Sequence, residues 1–253
     1  MSYLQFVEGG RLTPALMNSL ERTRLEKAAA DCGFELSPEV NGEGLAFRSA
    51  QFPETVTVWS QGTDTFMLQA SVPILLPTAT ADGLTVQGWS ALYQVLDKAA
   101  AIARTMPNRI ADKFHQATAT LPRSTEAERW VVQRVGQDLF RGALLDYWQG
   151  RCCVTGLAIP ELLRASHIKP WARCESDEER LDVFNGLLLS PHLDALFDGG
   201  WMTVQIDSNL LFSKRLPTQA LQQLGVTDGL KVEGLTEAHQ VYLGFHRNSV
   251  FKD

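Results

Sequence analysis

Four side chains between positions 167 and 198 are of the types that can hydrolyse a phosphodiester bond. His167 is followed 18 positions later by Asn185, and Asp194 and Asp198 lie nine and thirteen residues beyond the asparagine. Histidine can serve as a general base because its pKa lies near neutrality. Carboxylate oxygens are the ligands that hard divalent cations prefer. An asparagine amide can brace a loop or orient the histidine without adding charge.

The two aspartates occupy a short stretch with the pattern of a helix. On a helix a spacing of four places Asp194 and Asp198 on one face, one turn apart, where they can share one cation. Alone they would be typical of a solvated helix face. Their interleaving with Leu193, Leu196 and Phe197 instead predicts that they line the rim of a buried face.

Several separated motifs in this region resemble one known family. They are SHIKPW at 166–171, NGLLLS at 185–190 and LDALFD at 193–198, with RVGQDLFR at 134–141, CVTG at 153–156 and YLGFHR at 242–247. In this order and spacing they resemble a bacterial branch of the His-Asn-His (HNH) endonucleases. The resemblance covers about the last half of the chain and none of the first half.

The resemblance implies a β-hairpin followed by a helix around one metal ion, Mg²⁺ or Mn²⁺. It makes His167 the general base, Asn185 the brace of the hairpin, and Asp194 and Asp198 the residues that face the metal. His192 would be the third letter of the motif name. It lies off the face of the two aspartates, so its role as a ligand stays open.

This sequence departs from many family members at one position. Ser166 stands where many family members carry an Asp or His that binds the metal. The ion would then be held by fewer protein groups and more water molecules, and Mg²⁺ tolerates such a coordination shell. Arg141 and Lys169 are the candidate substrate-binding residues. Arg141 could equally pair with an acid, and Trp171 is assigned to packing rather than to DNA contact.

The cysteines and the other histidines do not predict a second site. Structural zinc needs paired ligands, whereas this region has an adjacent pair and a distant single cysteine, so zinc is not expected. The remaining histidines have no partners at informative spacing, which predicts structural or surface roles. These residues are Cys152, Cys153 and Cys174, and His115, His239 and His246.

Apolar periodicity predicts an α+β protein with two domains. Residues 1–105 read as a small α+β domain, with a helix from Thr13-Pro14 to Gly33, β-type runs at 44–50, 55–61 and 65–77, and a helix over 89–106. Residues 106–122 lack periodicity and are taken as a linker. Residues 123–253 form the nuclease domain, which opens on a helix from Ser124 to Trp148 that is broken once at Gly136.

Charge and composition limit the partners. The net charge is −6, with 9 basic and 12 acidic residues in 1–122 and 14 and 17 in 123–253, so neither half is basic. The stretch 123–173 is a local exception, with 8 basic and 5 acidic residues. The sequence shows no membrane span and no secretory signal, and its cysteine usage suggests the cytoplasm.

The expected function is a metal-dependent DNA endonuclease of bacterial restriction or defence, acting on double-stranded DNA, with residues 1–105 choosing the target. One alternative is a catalytically faded HNH fold that binds nucleic acid or another protein. Another is a nuclease whose first domain senses a ligand or forms a homodimer.

Overall fold

The computed structural model describes residues 18–227 and 229–253. The chain has an α+β fold and divides into two compact units, one up to residue 103 and one from 104 to 253. Among the described residues no helix is both long and apolar enough to span a membrane.

The first unit is a five-stranded antiparallel sheet with helices before and after it. The strands follow chain order, each paired with the next. Buried side chains from strands and helices, among them Phe47, Val58 and Phe66, form its core. The elements are α1 (Ser19–Asp31), β1 (Leu36–Asn41), β2 (Gly44–Arg48), β3 (Val56–Ser60), β4 (Thr65–Ala70), β5 (Leu84–Gln87) and α2 (Trp89–Arg104).

The structure corrects parts of the sequence-based boundaries in this unit. The first helix begins at Ser19 and is capped by the Asn18 side chain, while the predicted start at Thr13-Pro14 lies outside the described residues. β1 and β5 were not predicted, because β1 contains a proline and is mostly exposed and β5 is only four residues long. The apolar run 65–77 is a strand only to Ala70, after which a 3-10 turn covers Pro73–Leu75.

The second unit is mainly helical around two small β-hairpins. Its elements are α3 (Pro107–Thr118), α4 (Glu126–Tyr147), β6 (Arg164–His167), α5 (Asp177–Arg180), β7 (Gly186–Leu189), α6 (Pro191–Asp198), β8 (Met202–Val204), β9 (Leu210–Phe212), α7 (Thr218–Gln223) and α8 (Glu237–Ser249). β6 pairs with β7 and β8 pairs with β9, both antiparallel.

The expected linker at 106–122 is wrong for most of its length. Residues Pro107–Thr118 form α3, which packs against α4 and buries Ile110, Ala111 and Phe114. Ile110 and Phe114 are four residues apart and so share one helix face, but the polar residues around them obscured this short apolar stripe in the sequence.

Helix α4 begins with a capping box and runs through Gly136 without a break. The Thr125 hydroxyl accepts from the Glu128 amide, and the Glu128 carboxylate accepts from the Thr125 amide. The expected interruption at Gly136 is therefore wrong. A Cβ at this position would lie 2.7 Å from the Trp171 ring, so the glycine allows that ring to pack against the helix.

Candidate active site

The segment 164–198 folds into a hairpin followed by a helix. In the β6–β7 pair Arg164 lies opposite Leu189 and His167 lies opposite Gly186, and α6 starts two residues after β7 ends. A Cβ on Gly186 would approach the side chains of Leu144 and Phe140 to 2.7 Å. The glycine thus lets α4 lie close against the hairpin beneath His167.

His167 is held on two sides. Its ring stacks on Phe140 with centroids 3.8 Å apart and planes 15° from parallel, and the edge of Trp171 approaches at 5.5 Å. Nε2 lies 2.9 Å from the Arg180 carbonyl oxygen. Because a carbonyl only accepts, we assign the ring proton to Nε2. Nδ1, which has no hydrogen-bond partner among the described residues, is then the nitrogen with a free lone pair.

Burial lowers the pKa of His167 from 6.5 to about 4, against the smaller opposing effect of the hydrogen bond to the Arg180 carbonyl. Burial disfavours the charged imidazolium, whereas the carbonyl stabilises it. His167 is therefore neutral near pH 7, with Nδ1 ready to accept a proton.

Asn185 is fully buried and ties together the loop between β6 and β7. Its Oδ1 accepts from the Lys169 amide at 2.7 Å, and its Nδ2 donates to the carbonyls of Lys169 at 3.3 Å and Glu179 at 3.1 Å. Nδ2 also lies 3.4 Å from the Cys174 sulfur. The side chain thus links both ends of the loop from which the Arg180 carbonyl reaches His167.

Two carboxylates and a hydroxyl meet between β6 and α6. The buried Ser166 hydroxyl lies 2.7 Å from Asp194 Oδ1 and 3.3 Å from Asp198 Oδ1. Its single proton can serve only one of them at a time. Partial burial of the carboxyl and the nearby Asp194 raise the pKa of Asp198, and the Ser166 hydroxyl opposes this shift. Asp198 as a residue remains exposed to solvent, so an ion can approach from outside.

His192 has no hydrogen bond or ion pair to Ser166, Asp194 or Asp198 among the described residues. It lies half-buried on the first turn of α6. Among the described residues no group of three or more His, Cys, Asp and Glu side chains is placed to hold a metal ion. The structure therefore brings Ser166, Asp194 and Asp198 together and leaves His192 outside that set.

The two expected substrate-binding cations are engaged elsewhere. Arg141 donates from Nη1 to the Leu163 carbonyl and from Nη2 to the Pro160 carbonyl, both at 2.7 Å. Among the described residues it has these two carbonyl partners rather than an acid, and it fixes the chain entering β6. Lys169 Nζ lies 2.6 Å from Glu179, and this ion pair raises the Lys169 pKa. Both side chains are therefore engaged within the protein in this structure, and their role in substrate binding stays a prediction.

Sequence reasoning missed the groups that set the state of His167. The Phe140 stack had a signal, since Phe140 lies within the RVGQDLFR motif, but nothing in its spacing pairs it with position 167. The Arg180 carbonyl is a main-chain group, and because every residue has one, the sequence does not indicate which carbonyl contacts His167. Glu179 lies in an acidic run, 175–179, that reads as solvated loop.

A family model described as HNH endonuclease matches residues 152–205. No curated protein shows a significant match to the chain. The matched residues include the whole of the β6–β7–α6 arrangement with His167, Asn185, Asp194 and Asp198. The C-terminal half of the chain therefore contains a segment similar to the HNH endonucleases, which confirms the resemblance of its motifs.

Proposed function

We propose that the protein is a divalent-metal-dependent endonuclease that hydrolyses phosphodiester bonds of double-stranded DNA. The observation that carries this proposal is the hairpin and helix on which the neutral His167 and the pair Asp194–Asp198 are presented by adjoining elements. A base and an oxygen-rich cation site are the two components that this hydrolysis needs. The similarity to HNH endonucleases at the same residues supports it.

The role proposed for His167 is to take a proton from the attacking water at Nδ1. The Nε2 hydrogen bond to the Arg180 carbonyl keeps the ring in this tautomer and stabilises the imidazolium once it forms. The stack on Phe140 fixes the plane of the ring. Such positioning contributes because the base must lie within hydrogen-bond reach of the proton that it removes.

The donor set fits a hard divalent cation. Asp194 and Asp198 offer carboxylate oxygens one helical turn apart, and Ser166 adds a hydroxyl oxygen between them. Mg²⁺ is commonly bound by one or two carboxylates with water in its other positions. When bound, the ion supplies positive charge to the phosphate and the leaving oxygen. Ser166 and the two aspartates are the residues that would hold it.

We propose that the enzyme acts in bacterial restriction or defence and that its first unit selects the target. We also propose that it works in the cytoplasm. All four cysteines are free thiols, which suits a reducing compartment. Contacts to phosphate carry no sequence information directly, so the hairpin and helix site cannot select a target sequence by itself. Selectivity then requires a second surface, and the first unit is a separately folded body that can supply one.

A ligand-gated nuclease is the second candidate, favoured by a surface pocket in the first unit. This pocket of about 370 Å³ includes Glu21, Arg24, Ser60, Asp64 and Trp89 in its lining. The Arg24 guanidinium lies over the Trp89 ring at 4.1 Å, and the Trp89 indole N–H donates to Asp64 at 2.7 Å. Arg24 covers the Trp89 ring and Phe66 contacts it, so the charged and polar side chains of the pocket are the groups that would contact a small polar ligand.

The nuclease proposal is tested with supercoiled plasmid DNA and the full-length protein in Mg²⁺, in Mn²⁺ and in EDTA. We expect cleavage with either ion and none in EDTA. Asp194→Ala and Asp198→Ala should each raise the metal concentration needed for half-maximal cleavage. The matched control is Asp138→Ala, which removes an exposed carboxylate on α4. Undiminished cleavage in EDTA would exclude the metal, and no cleavage with any divalent ion would favour the faded binding module.

Cleavage of a mixture of methylated and unmodified duplexes distinguishes the two roles proposed for the first unit, which are target recognition and ligand sensing. Arg24→Ala in the full-length protein leaves the nuclease segment intact. If the first unit recognises DNA at this pocket, the variant changes which duplex is cut. If the pocket receives a small ligand, the variant changes the overall rate and leaves the preference for one duplex as it was.

A further inference from the structure

The cations around the active site are mostly bound to other groups of the protein. Arg141 holds the carbonyls of Pro160 and Leu163, and Lys169 pairs with Glu179. Arg180 donates to Asp177 and to carbonyl oxygens of its own loop. An anionic substrate that approaches Asp194 and Asp198 therefore needs a positive side chain from another position.

Arg164 is differently placed. It is the first residue of β6, exposed, and within β6, β7 and α6, all of whose residues the structure describes, it is the one lysine or arginine. Among the described residues its guanidinium has neither an ion-pair nor a hydrogen-bond partner.

The strand geometry directs Arg164 to the side of the two aspartates. Side chains alternate along a strand, so Arg164 shares a face with Ser166 and not with His167. Ser166 contacts Asp194 and Asp198 on that face. Two strand residues span about 7 Å, so the long arginine side chain can reach a phosphate bound at the aspartate pair. The strand register also places Arg164 near α6, because Arg164 lies opposite Leu189 and α6 begins two residues after Leu189.

We propose that Arg164 is a substrate-binding residue of the nuclease that grips a DNA phosphate at the aspartate pair. This inference rests on the proposed function. A guanidinium offers parallel N–H donors that match two phosphate oxygens. It also offsets the negative charge of two carboxylates that would otherwise repel the DNA backbone. The assignment gives the site a phosphate contact while Arg141 and Lys169 are engaged within the protein.

The test compares Arg164→Gln with Arg173→Gln in the full-length protein. Arg173 lies in the loop beyond the other end of β6, is exposed, and has no side-chain partner among the described residues. The two variants therefore lose the same charge, each from an exposed position. Unchanged melting temperatures establish that both are folded.

Binding to a short duplex is measured in EDTA at several salt concentrations. Loss of one phosphate contact should reduce the slope of log K against log salt by about 0.9 for Arg164→Gln, with little change for Arg173→Gln. In Mg²⁺ we expect Arg164→Gln to lower kcat/KM by roughly 10- to 100-fold, the effect of losing one hydrogen bond to a charged group. Arg164→Lys should restore the salt slope and only part of kcat/KM, because lysine lacks the paired donors.

The outcomes distinguish this inference from the proposed function. Equal effects of the two glutamine variants on slope and kcat/KM, in a wild type that binds and cleaves, overturn the role of Arg164 and leave the nuclease intact. A wild type that binds but does not cleave refutes the proposed function, and the salt slope then still decides whether Arg164 holds a phosphate.

Discussion

Two histidines in the second unit have nearly the same surroundings and differ at one ring nitrogen. His246 stacks on Phe197 with centroids 3.9 Å apart, as His167 stacks on Phe140 at 3.8 Å. Each Nε2 lies near a backbone carbonyl, that of Phe197 or of Arg180. Burial lowers both pKa values to about 4.

The two histidines differ at Nδ1. Nδ1 of His246 lies 2.9 Å from the Thr203 hydroxyl, in a fully buried position. Nδ1 of His167 has no such partner among the described residues. A histidine whose two nitrogens are both hydrogen-bonded serves the fold, whereas one with a free lone pair is equipped for proton transfer. Stacking and a shifted pKa alone therefore do not identify a catalytic histidine.

The largest effect is expected from His167→Ala. Removal of the free Nδ1 should lower the cleavage rate by about 10²–10⁴-fold, the usual contribution of a positioned general base, and DNA binding should persist. The measurement is single-turnover cleavage in Mg²⁺ alongside binding in EDTA. Cleavage at nearly the wild-type rate would show that the free nitrogen has no catalytic role.

His246→Ala should give the reverse pattern. It removes a buried stacked ring and leaves the Thr203 hydroxyl without its partner, while the Phe197 carbonyl keeps the Gly200 amide. The free energy of unfolding should therefore fall by about 3 kcal/mol. Urea unfolding measures this loss. The cleavage rate per folded molecule should stay at the wild-type value, and a drop like that of His167→Ala would abolish the distinction between the two rings.

The pH dependence of stability should also depend on His246. The unfolded ring binds a proton near pH 6.5 and the folded ring only near pH 4, and the Arg247 charge adds to the effect of burial. The stability that the neutral ring contributes is therefore complete above pH 6.5 and is lost as the pH falls towards 4. At 1.36 kcal/mol per pKa unit the loss is at most about 3 kcal/mol.

His246→Gln tests this pH effect, because its amide can still donate and accept a hydrogen bond but does not titrate. Urea unfolding at pH 7, 5.5 and 4 should show a flatter profile for the variant than for the wild type. Parallel profiles would mean that His246 binds its proton equally well in the folded and unfolded chain.

The smallest effect concerns Thr203→Val, which removes the hydroxyl that donates to Nδ1 of His246. One net hydrogen bond predicts a loss of about 1 kcal/mol in unfolding free energy, with no change in cleavage. Urea denaturation at pH 7 checks the first and the plasmid assay the second. A rise in stability would indicate that this hydroxyl does not satisfy the ring nitrogen.

The contrast also shows what the sequence could predict. The α+β class followed from apolar periodicity and the HNH resemblance from motifs, and both are local properties of the chain. The helix at 107–118 was missed because its apolar stripe is short and lies among polar residues. The engagement of Lys169 by Glu179 and of Arg141 by two carbonyls was missed because these contacts depend on how a loop closes, which no periodicity records.

The hydrogen bond from His167 to the Arg180 carbonyl has a consequence for how this site tolerates change. The acceptor belongs to the main chain, so replacing the side chain at 180 does not delete it. An insertion or deletion between 168 and 184 would move it, however, and with it the loop that Asn185 holds. The tautomer of His167 therefore depends on the length of this loop more than on the side chain at position 180. An insertion or deletion in the loop should perturb it more than a substitution at 180 does.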